Sequence, residues 1–285
     1  MKFSKASKTL IALYLFELSV WIMLTVATKH TAVTQGFLFD VVLKIFHLTG
    51  DVLFTVGGLF GLSKVNAWGG FRSAMGRVIF FISLGLITWG IGSFIWFWYL
   101  FYGKIDIPYP SIADGIYVLS WPLWGIGIWN LSRVIGAKSY ISTTLGKILL
   151  FVVPVITLSL SYYLLIVVAR GGKIDFTADK AKLIFDLFYP IAGMVLFTAV
   201  GIVYTLSFKL LGGRYKTPIL LLFFGFLLNF ISDFAFAYTT TAGTYFNGHV
   251  IDLMYATAML LIGTGINNLD PTLYKNTYET HENHT

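Results

Sequence analysis

Hydrophobic runs long enough to cross a lipid bilayer recur along the whole chain. The first covers Leu10–Thr28, and the last ends at Ile266. A hydrocarbon core about 30 Å thick is spanned by about 20 apolar residues in helical form. Only 12% of the residues are charged, and no stretch between the runs is long enough to fold alone. The sequence therefore predicts an all-α polytopic membrane helix bundle.

We predict about eight transmembrane helices in one membrane domain, residues 1–270, with a short polar cytoplasmic tail at residues 271–285. If each span crosses the membrane once, the segments between spans lie alternately on its two sides. Lysine and arginine are concentrated in the segments of one side, and that side is usually the cytoplasmic one. We therefore expect cytoplasmic N- and C-termini in a multi-pass protein of the cell membrane, with the lipid bilayer as a partner. The predicted spans are 8–28, 37–64, 73–102, 112–135, 144–169, 181–211, 217–240 and 249–267.

The composition excludes several functional classes. The net charge of +7 does not indicate a nucleic-acid-binding protein, because the basic residues lie in short loops between apolar runs. Cysteine is absent, which excludes disulfides and thiolate metal sites. The sequence Leu48-Thr49-Gly50-Asp51 lacks the first glycine of the Gly-x-Gly-Asp signature of intramembrane aspartyl proteases. We expect no enzymatic activity, no cofactor and no metal site.

A short pattern, Asp-x-x-Tyr, recurs near the starts of three predicted helices. Its copies are separated by about the length of one helical hairpin, as expected if the chain consists of four related hairpins. A chance match in an apolar chain is the alternative. Asp51 with Phe54 is a degenerate fourth copy. The three copies are Asp114 with Tyr117, Asp186 with Tyr189, and Asp252 with Tyr255.

Ionisable side chains follow one face of the second predicted helix. Asp40, Lys44, His47 and Asp51 lie within about 60° of one another around a helix axis. Such groups are costly in a bilayer and usually face a bundle interior or water. This stripe predicts a proton or ion path or a polar pocket. The alternative is a set of mutually neutralising groups that holds the helix to its neighbours.

A second set of polar residues is predicted to converge on the outer side of the bundle. Each tyrosine of the repeated pattern stands where its phenol could hydrogen-bond a carboxylate on another helix. The set forms either a ligand-binding vestibule or a structural network; for Asp114, helix capping with Ser111 is the simpler alternative. Glu17, in the first span, is a further acidic residue at membrane depth. The candidate ligand-binding residues are Asp114, Tyr117, Asp186, Tyr189, Asp233, His249, Asp252 and Tyr255.

One segment carries a resemblance to a known class of membrane region. The sequence from Ile107 to Leu123 reads IPYPSIADGIYVLSWPL, and Asp186–Pro190 and Ile231–Ala235 read DLFYP and ISDFA. Together they resemble the multi-helix membrane sensor regions that precede diguanylate cyclase or histidine kinase domains in bacteria and archaea. There the motif reads roughly Pro-Ser-x-Ala-Asp-x-x-Tyr-x-x-x-Tyr-Pro-Leu; here Trp121 replaces the tyrosine before proline. The resemblance implies a sensing module and no particular chemistry.

From these features we expect a stand-alone membrane sensor or ligand-binding module. No output domain is recognised in the chain, so the expected partners are a small-molecule or ion ligand and a separate cytoplasmic signalling protein. The alternative function is a proton- or ion-coupled transporter that uses the polar stripe of the second helix.

Overall fold

The computed structural model describes residues 3–30, 36–103, 110–135, 143–168, 170–173, 180–210 and 215–271. Within these ranges the chain contains eight long helices and no strand, which confirms the all-α prediction for this part of the chain. The predicted polar tail lies outside it beyond residue 271. The helices are α1 (Lys5–His30), α2 (Phe37–Leu62), α3 (Ala74–Trp98), α4 (Ile112–Val134), α5 (Thr144–Tyr162), α6 (Lys180–Leu210), α7 (Lys216–Thr241) and α8 (Val250–Asn268).

Helices α3 and α5 continue as π-helical turns at Tyr99–Gly103 and Tyr163–Val168. With these turns included, each predicted span coincides with one helix to within about three residues at either end. Within the described ranges, five helices are long and apolar enough to cross a membrane, as expected of an integral membrane protein, and the predicted number of eight spans stays a prediction. The five apolar segments are Lys5–Val26, Ala74–Gly103, Leu183–Tyr204, Lys216–Thr241 and Val250–Asn268.

Seven of the described helices form a closed ring. Helices α1 to α4 pack side by side in chain order, α4 contacts α6, α6 contacts α7, α7 contacts α8, and α8 returns to α1. Helix α8 also contacts α2 and α3, which places it toward the interior. Helix α5 packs against α6, and its apolar side chains, such as Phe151 and Ile156, are exposed. The ring thus encloses a core to which α5 is peripheral.

Glycines allow α2 to approach its neighbours closely. A Cβ atom added to Gly58 would lie 2.6 Å from both Ile87 Cγ1 and the Ser83 carbonyl oxygen of α3. One added to Gly57 would lie 3.8 Å from the Cα of Gly263 on α8. Small residues of this kind are common where membrane helices pack, because they bring backbones into van der Waals contact.

Hydrogen bonds hold the start of α1, the end of α2 and the end of α8 together. The Ser7 hydroxyl donates to Asn268 Oδ1 at 3.0 Å. The Lys64 ammonium forms an ion pair with Asp270 at 3.0 Å, and Trp68 Nε1 donates to the Leu269 carbonyl oxygen at 2.8 Å. We call this part of the molecule the terminal end.

Replacing Gly58 by alanine is expected to lower the free energy of unfolding by about 1–3 kcal/mol, because the new methyl group overpacks the contact with α3. Gly115 provides a matched control, since a Cβ there meets nothing within 4 Å. Gly115→Ala should leave stability unchanged or raise it. Denaturation of the purified protein in detergent measures both changes, and equal effects would contradict the close α2–α3 contact.

Candidate functional site

A cavity of about 100 Å³ lies inside the helix ring, away from the terminal end. Its wall contains side chains of α1, α2, α3, α4, α6, α7 and α8, together with the loop at residues 242–249. The lining side chains belong to the middle of α1 and α2 and to the first halves of α4, α6 and α8, so the cavity lies toward the side of the bundle on which α4, α6 and α8 begin; we call this part the cavity end. The volume is sufficient for several water molecules or one small organic molecule.

Five acidic residues line this space, which we call the acidic cavity. Among the described lining residues none is a lysine or arginine, and His47 is the one basic side chain. Carboxylates buried away from water are costly unless hydrogen bonds, protons or a cation compensate them. The partners of each carboxyl group therefore indicate its role. The five are Glu17, Asp51, Asp114, Asp233 and Asp252.

The carboxyl group of Asp114 is fully engaged in structural hydrogen bonds. Its Oδ2 accepts from the Ser111 backbone N–H at 2.7 Å and from the Ser111 hydroxyl at 2.9 Å, which forms a capping box at the start of α4. Its Oδ1 accepts from the Tyr189 hydroxyl of α6 at 3.0 Å. Asp114 thus caps one helix and joins it to another.

Asp233 has a similar arrangement between α7 and α8. Its Oδ2 accepts from Asn229 Nδ2 at 3.0 Å, and its Oδ1 accepts from the Tyr255 hydroxyl at 2.9 Å. Tyr189 and Tyr255 therefore each donate to an aspartate of another helix, as predicted for the tyrosines of the repeated pattern.

Asp252 holds the loop between α7 and α8 over the cavity. Its Oδ1 accepts from the Tyr245 hydroxyl at 2.8 Å, and its Oδ2 accepts from the Gly248 backbone N–H at 2.7 Å. Burial raises the pKa of Tyr245, so its hydroxyl stays protonated and available to donate. Trp21 Nε1 donates to the Gly248 carbonyl oxygen at 3.1 Å, and Trp96 Nε1 donates to Asn247 Oδ1 at 3.2 Å. The loop is thus attached to α1, α3 and α8.

Asp51 on α2 is only partly satisfied. Ser93 of α3 donates a hydrogen bond to its Oδ1. Its Oδ2 is buried and has no hydrogen-bond partner, and the residue is 1% exposed. A buried oxygen without a partner is uncommon and calls for a specific explanation.

Glu17 on α1 is a second acidic residue with a free buried oxygen. The residue is 2% exposed, and its Oε2 has no hydrogen-bond partner. Its other oxygen lies 2.7 Å from the position that a Cβ of Gly50 would occupy. Gly50, which precedes Asp51 in α2, therefore provides the space in which the Glu17 carboxyl group lies.

The remaining wall of the acidic cavity is largely aromatic. The Trp89 ring lies 4.7 Å from the Tyr117 ring and 5.7 Å from the Tyr255 ring, between centroids. A Cβ on Gly92 would lie 2.8 Å from the Tyr117 ring, so this glycine allows the ring to rest on α3. Such ring faces attract cations as well as apolar groups.

The stripe predicted on α2 divides into two parts. His47 and Asp51 line the acidic cavity, and His47 Nε2 is buried without a partner. Asp40 is exposed, and Lys44 Nζ lies 5.3 Å from the centroid of the Phe101 ring. Of the four residues predicted to form one path, Asp40 and Lys44 do not line the cavity, and the path itself stays a prediction. Asp40 precedes Asp51 by about 16 Å along the helix, which places it above the cavity.

The other predicted residues are placed as follows. Asp114, Tyr117, Tyr189, Asp233, Asp252 and Tyr255 all line the acidic cavity. His249 does not, because it is the N-cap residue of α8, where its Nδ1 accepts from the Ile251 backbone N–H at 3.3 Å. The side chain of Asp186 lies outside the described residues.

The sequence did not identify several cavity residues. Glu17 is conspicuous as an acidic residue in an apolar run, but it does not belong to a copy of the Asp-x-x-Tyr pattern, and the sequence alone does not assign it to the site. The sequence does not distinguish Trp89, Ser93 and Tyr245 from the other aromatic and small polar residues of their segments. In both Gly50-Asp51 and Gly92-Ser93, a glycine precedes a polar residue and leaves space for a side chain of another helix, Glu17 at Gly50 and Tyr117 at Gly92. Only the three-dimensional structure reveals this role of the two glycines.

An apolar layer separates the acidic cavity from the terminal end. A Cβ on Gly263 of α8 would lie 3.3 Å from Leu10 Cδ1, 3.7 Å from the Gly57 Cα and 3.8 Å from Leu86 Cδ1. Leu10, Leu53 and Leu86 are each at most 2% exposed. Four helices therefore meet here through apolar contacts, and Asn267 Nδ2 donates to the Gly57 and Gly263 carbonyl oxygens on the side of the terminal end.

The acidic residues surround the cavity rather than converging on one point. Within the described ranges, no group of three or more histidine or acidic side chains is arranged to hold a metal ion. The arrangement can accept hydrogen bonds and attract positive charge from several sides. Comparison with known proteins adds no family to this description, because no protein-family model, curated protein or solved structure matches the chain.

Proposed function

We propose that this protein is a stand-alone sensor or ligand-binding module of the cell membrane, which binds a small ligand in the acidic cavity and signals to a cytoplasmic partner. The observation that carries this proposal is the composition of the cavity wall, to which all seven helices of the ring contribute. A ligand at this position contacts every helix of the ring, so its binding can favour one arrangement of the helices over another.

The distribution of basic residues supports an outer position for the cavity. Lys5 and Lys8 lie at the start of α1, Lys64 follows α2, Arg77 lies at the start of α3, and Arg133 lies at the end of α4. All belong to the terminal end. Because basic residues favour the cytoplasmic side, the terminal end is assigned to the cytoplasm and the cavity end to the outside.

The apolar layer favours binding over transport. A transporter captured in this state would be closed toward the cytoplasm by Leu10, Leu86 and the Gly57–Gly263 contact. Of the α2 stripe proposed as an ion path, only His47 and Asp51 reach the cavity. A receptor needs its ligand to enter from one side only, whereas transport would also require this layer to open.

The proposal is tested by distance measurements at the terminal end. The chain has no cysteine, so Ser63→Cys and Arg133→Cys, both at exposed positions, allow specific spin labelling of α2 and α4. A panel of small amines, alcohols and carboxylic acids is first screened for compounds that raise the unfolding temperature of the protein. A compound bound in the cavity is expected to change the label-to-label distance distribution in nanodiscs.

A variant that fills the acidic cavity tests whether a stabilising compound binds there. Ser93→Phe should abolish the thermal shift, whereas Ser93→Ala, which removes the hydroxyl without filling the space, should retain part of it. Ser93→Leu replaces phenylalanine if the larger ring prevents folding. Compounds that stabilise the filled variant equally, or cavity binders that leave every distance unchanged, would contradict the sensor assignment. Net uptake of a cavity binder into proteoliposomes would replace it by the transporter alternative.

A further inference from the structure

In the part of the chain that the structure describes, three buried polar atoms in the wall of the acidic cavity have no hydrogen-bond partner. They are Glu17 Oε2, Asp51 Oδ2 and His47 Nε2. Glu17 and Asp51 are 2% and 1% exposed, so bulk water does not satisfy them. A native structure rarely leaves such acceptors empty unless something else occupies the site.

These atoms differ from the other acidic groups of the cavity. The carboxyl oxygens of Asp114, Asp233 and Asp252 all accept hydrogen bonds from the protein. The free acceptors lie instead on one side, on α1 and α2. Glu17 is placed there by Gly50, next to Asp51, and His47 lies one helical turn before Asp51 on the same face.

We infer that the acidic cavity binds a small primary amine in its ammonium form, with Glu17 and Asp51 as its principal partners. This inference rests on the proposed function of the cavity as a ligand site. A primary ammonium group carries three N–H donors and one positive charge. Two of these donors can therefore be accepted by Glu17 Oε2 and Asp51 Oδ2, and the positive charge compensates the acidic groups, which no lysine or arginine among the described lining residues neutralises.

The aromatic wall selects for an organic cation over a metal ion. Trp89, Tyr117 and Tyr255 present ring surfaces to the same cavity, where cation–π attraction and apolar contact act on the carbon skeleton of an amine. A metal ion would need several oxygen or nitrogen ligands converging at bonding distance. No such group of acidic or histidine side chains occurs in the described ranges.

The ligand of the acidic cavity is either a free amine or the ethanolamine head group of a lipid. Both present a primary ammonium group, and the cavity lies within a bundle that is surrounded by lipid. The two sources differ in whether the ligand exchanges with the aqueous phase. They are separated by comparing nanodiscs of phosphatidylcholine alone with nanodiscs that also contain phosphatidylethanolamine.

The full chain in detergent is titrated at pH 7.5 with four matched pairs: ethylamine and ethanol, butylamine and 1-butanol, benzylamine and benzyl alcohol, and tryptamine and tryptophol. We expect at least one amine to raise the unfolding temperature and to give a calorimetric binding isotherm, while its alcohol does neither. The trimethylammonium derivative of that amine should bind more weakly, because it has no N–H donor.

Variants test the two carboxyl groups directly. Glu17→Gln and Asp51→Asn should each weaken the amine by about tenfold or more, because each removes a charge-assisted hydrogen bond. Asp40→Asn is the matched control, since Asp40 is exposed on the same helix outside the cavity. Gel filtration establishes that each variant is folded before titration.

Three results would overturn the inference: no amine binds better than its alcohol, the trimethylated compound binds as tightly as the primary amine, or both carboxyl variants keep full affinity. If alcohols or carboxylic acids bind and Ser93→Phe abolishes their binding, the inference fails and the proposed ligand cavity stands. If phosphatidylethanolamine in the nanodisc competes with the added amine, the inference stands with the lipid head group as the source. Absence of competition assigns the site to a free amine.

Discussion

The free energy of unfolding is expected to fall by about 2–4 kcal/mol when Asp114 is replaced by alanine, the sum of a lost helix cap and a lost charged hydrogen bond between helices. The cap is formed by Asp114 Oδ2 and Ser111, and the bond between helices by Asp114 Oδ1 and Tyr189. Both losses act at the cavity end, where α4 contacts α6. The same substitution should also lower affinity for any cavity ligand, because Asp114 and Tyr189 line the cavity.

Denaturation in detergent, followed by tryptophan fluorescence or circular dichroism, measures this loss. Ser111→Ala removes part of the cap and leaves the Tyr189 bond, so its effect should be about half as large or less. Asp40→Ala removes an exposed carboxyl group and should change stability by about 0.5 kcal/mol at most. Equal stability of Asp114→Ala and Asp40→Ala would show that the hydrogen bonds of Asp114 do not hold the bundle together.

The helices were predictable from the sequence because apolar runs of membrane length leave few alternatives. A backbone in lipid must satisfy its own hydrogen bonds, so each run becomes a helix. The predicted segments 112–135 and 217–240 differ by only one residue at either end from α4 and α7. The peripheral position of α5 was not predictable, because its composition resembles that of the ring helices and its position depends on which neighbours it contacts.

The sequence also allowed the prediction that distant acidic residues face one shared interior space, since ionisable groups at membrane depth avoid lipid. The three aspartates Asp114, Asp233 and Asp252 were expected in one vestibule, and all line one cavity. The role of each was not predictable. A tyrosine 75 residues away saturates Asp114, whereas no donor reaches the second oxygen of Asp51. Hydrogen bonds between helices depend on how each helix is rotated about its axis and on its position along the membrane normal. The residue types and their spacing in the sequence do not determine either quantity.

The start of α8 explains why His249 does not line the cavity. It stands one turn before Asp252 and would share its face if α8 extended that far. The helix begins at Val250, so His249 is the cap residue and its ring contacts Phe246. The preceding residue, Gly248, has φ +88, a conformation that favours glycine and turns the chain away from the helix axis.

The largest gain in stability is expected from replacing Glu17 by glutamine, at about 1–3 kcal/mol, because a buried acidic group with an unsatisfied oxygen is replaced by a neutral amide. Asp114→Asn makes the same chemical exchange and should have the opposite sign, since an amide nitrogen cannot accept the hydrogen bond from the Ser111 N–H. The two variants thus distinguish a carboxyl group retained for binding from one retained for folding.

Chemical denaturation of both variants without ligand, under identical conditions, measures this difference in sign. Glu17→Gln should raise the free energy of unfolding and also abolish the amine-dependent thermal shift. Both effects are expected because the unsatisfied Glu17 carboxyl group destabilises the empty cavity and binds the amine. Asp40→Asn, an exposed acid on α2, should alter neither stability nor binding. If Glu17→Gln is as destabilising as Asp114→Asn, Glu17 is a structural residue, and the free oxygens of the cavity do not indicate a cation site.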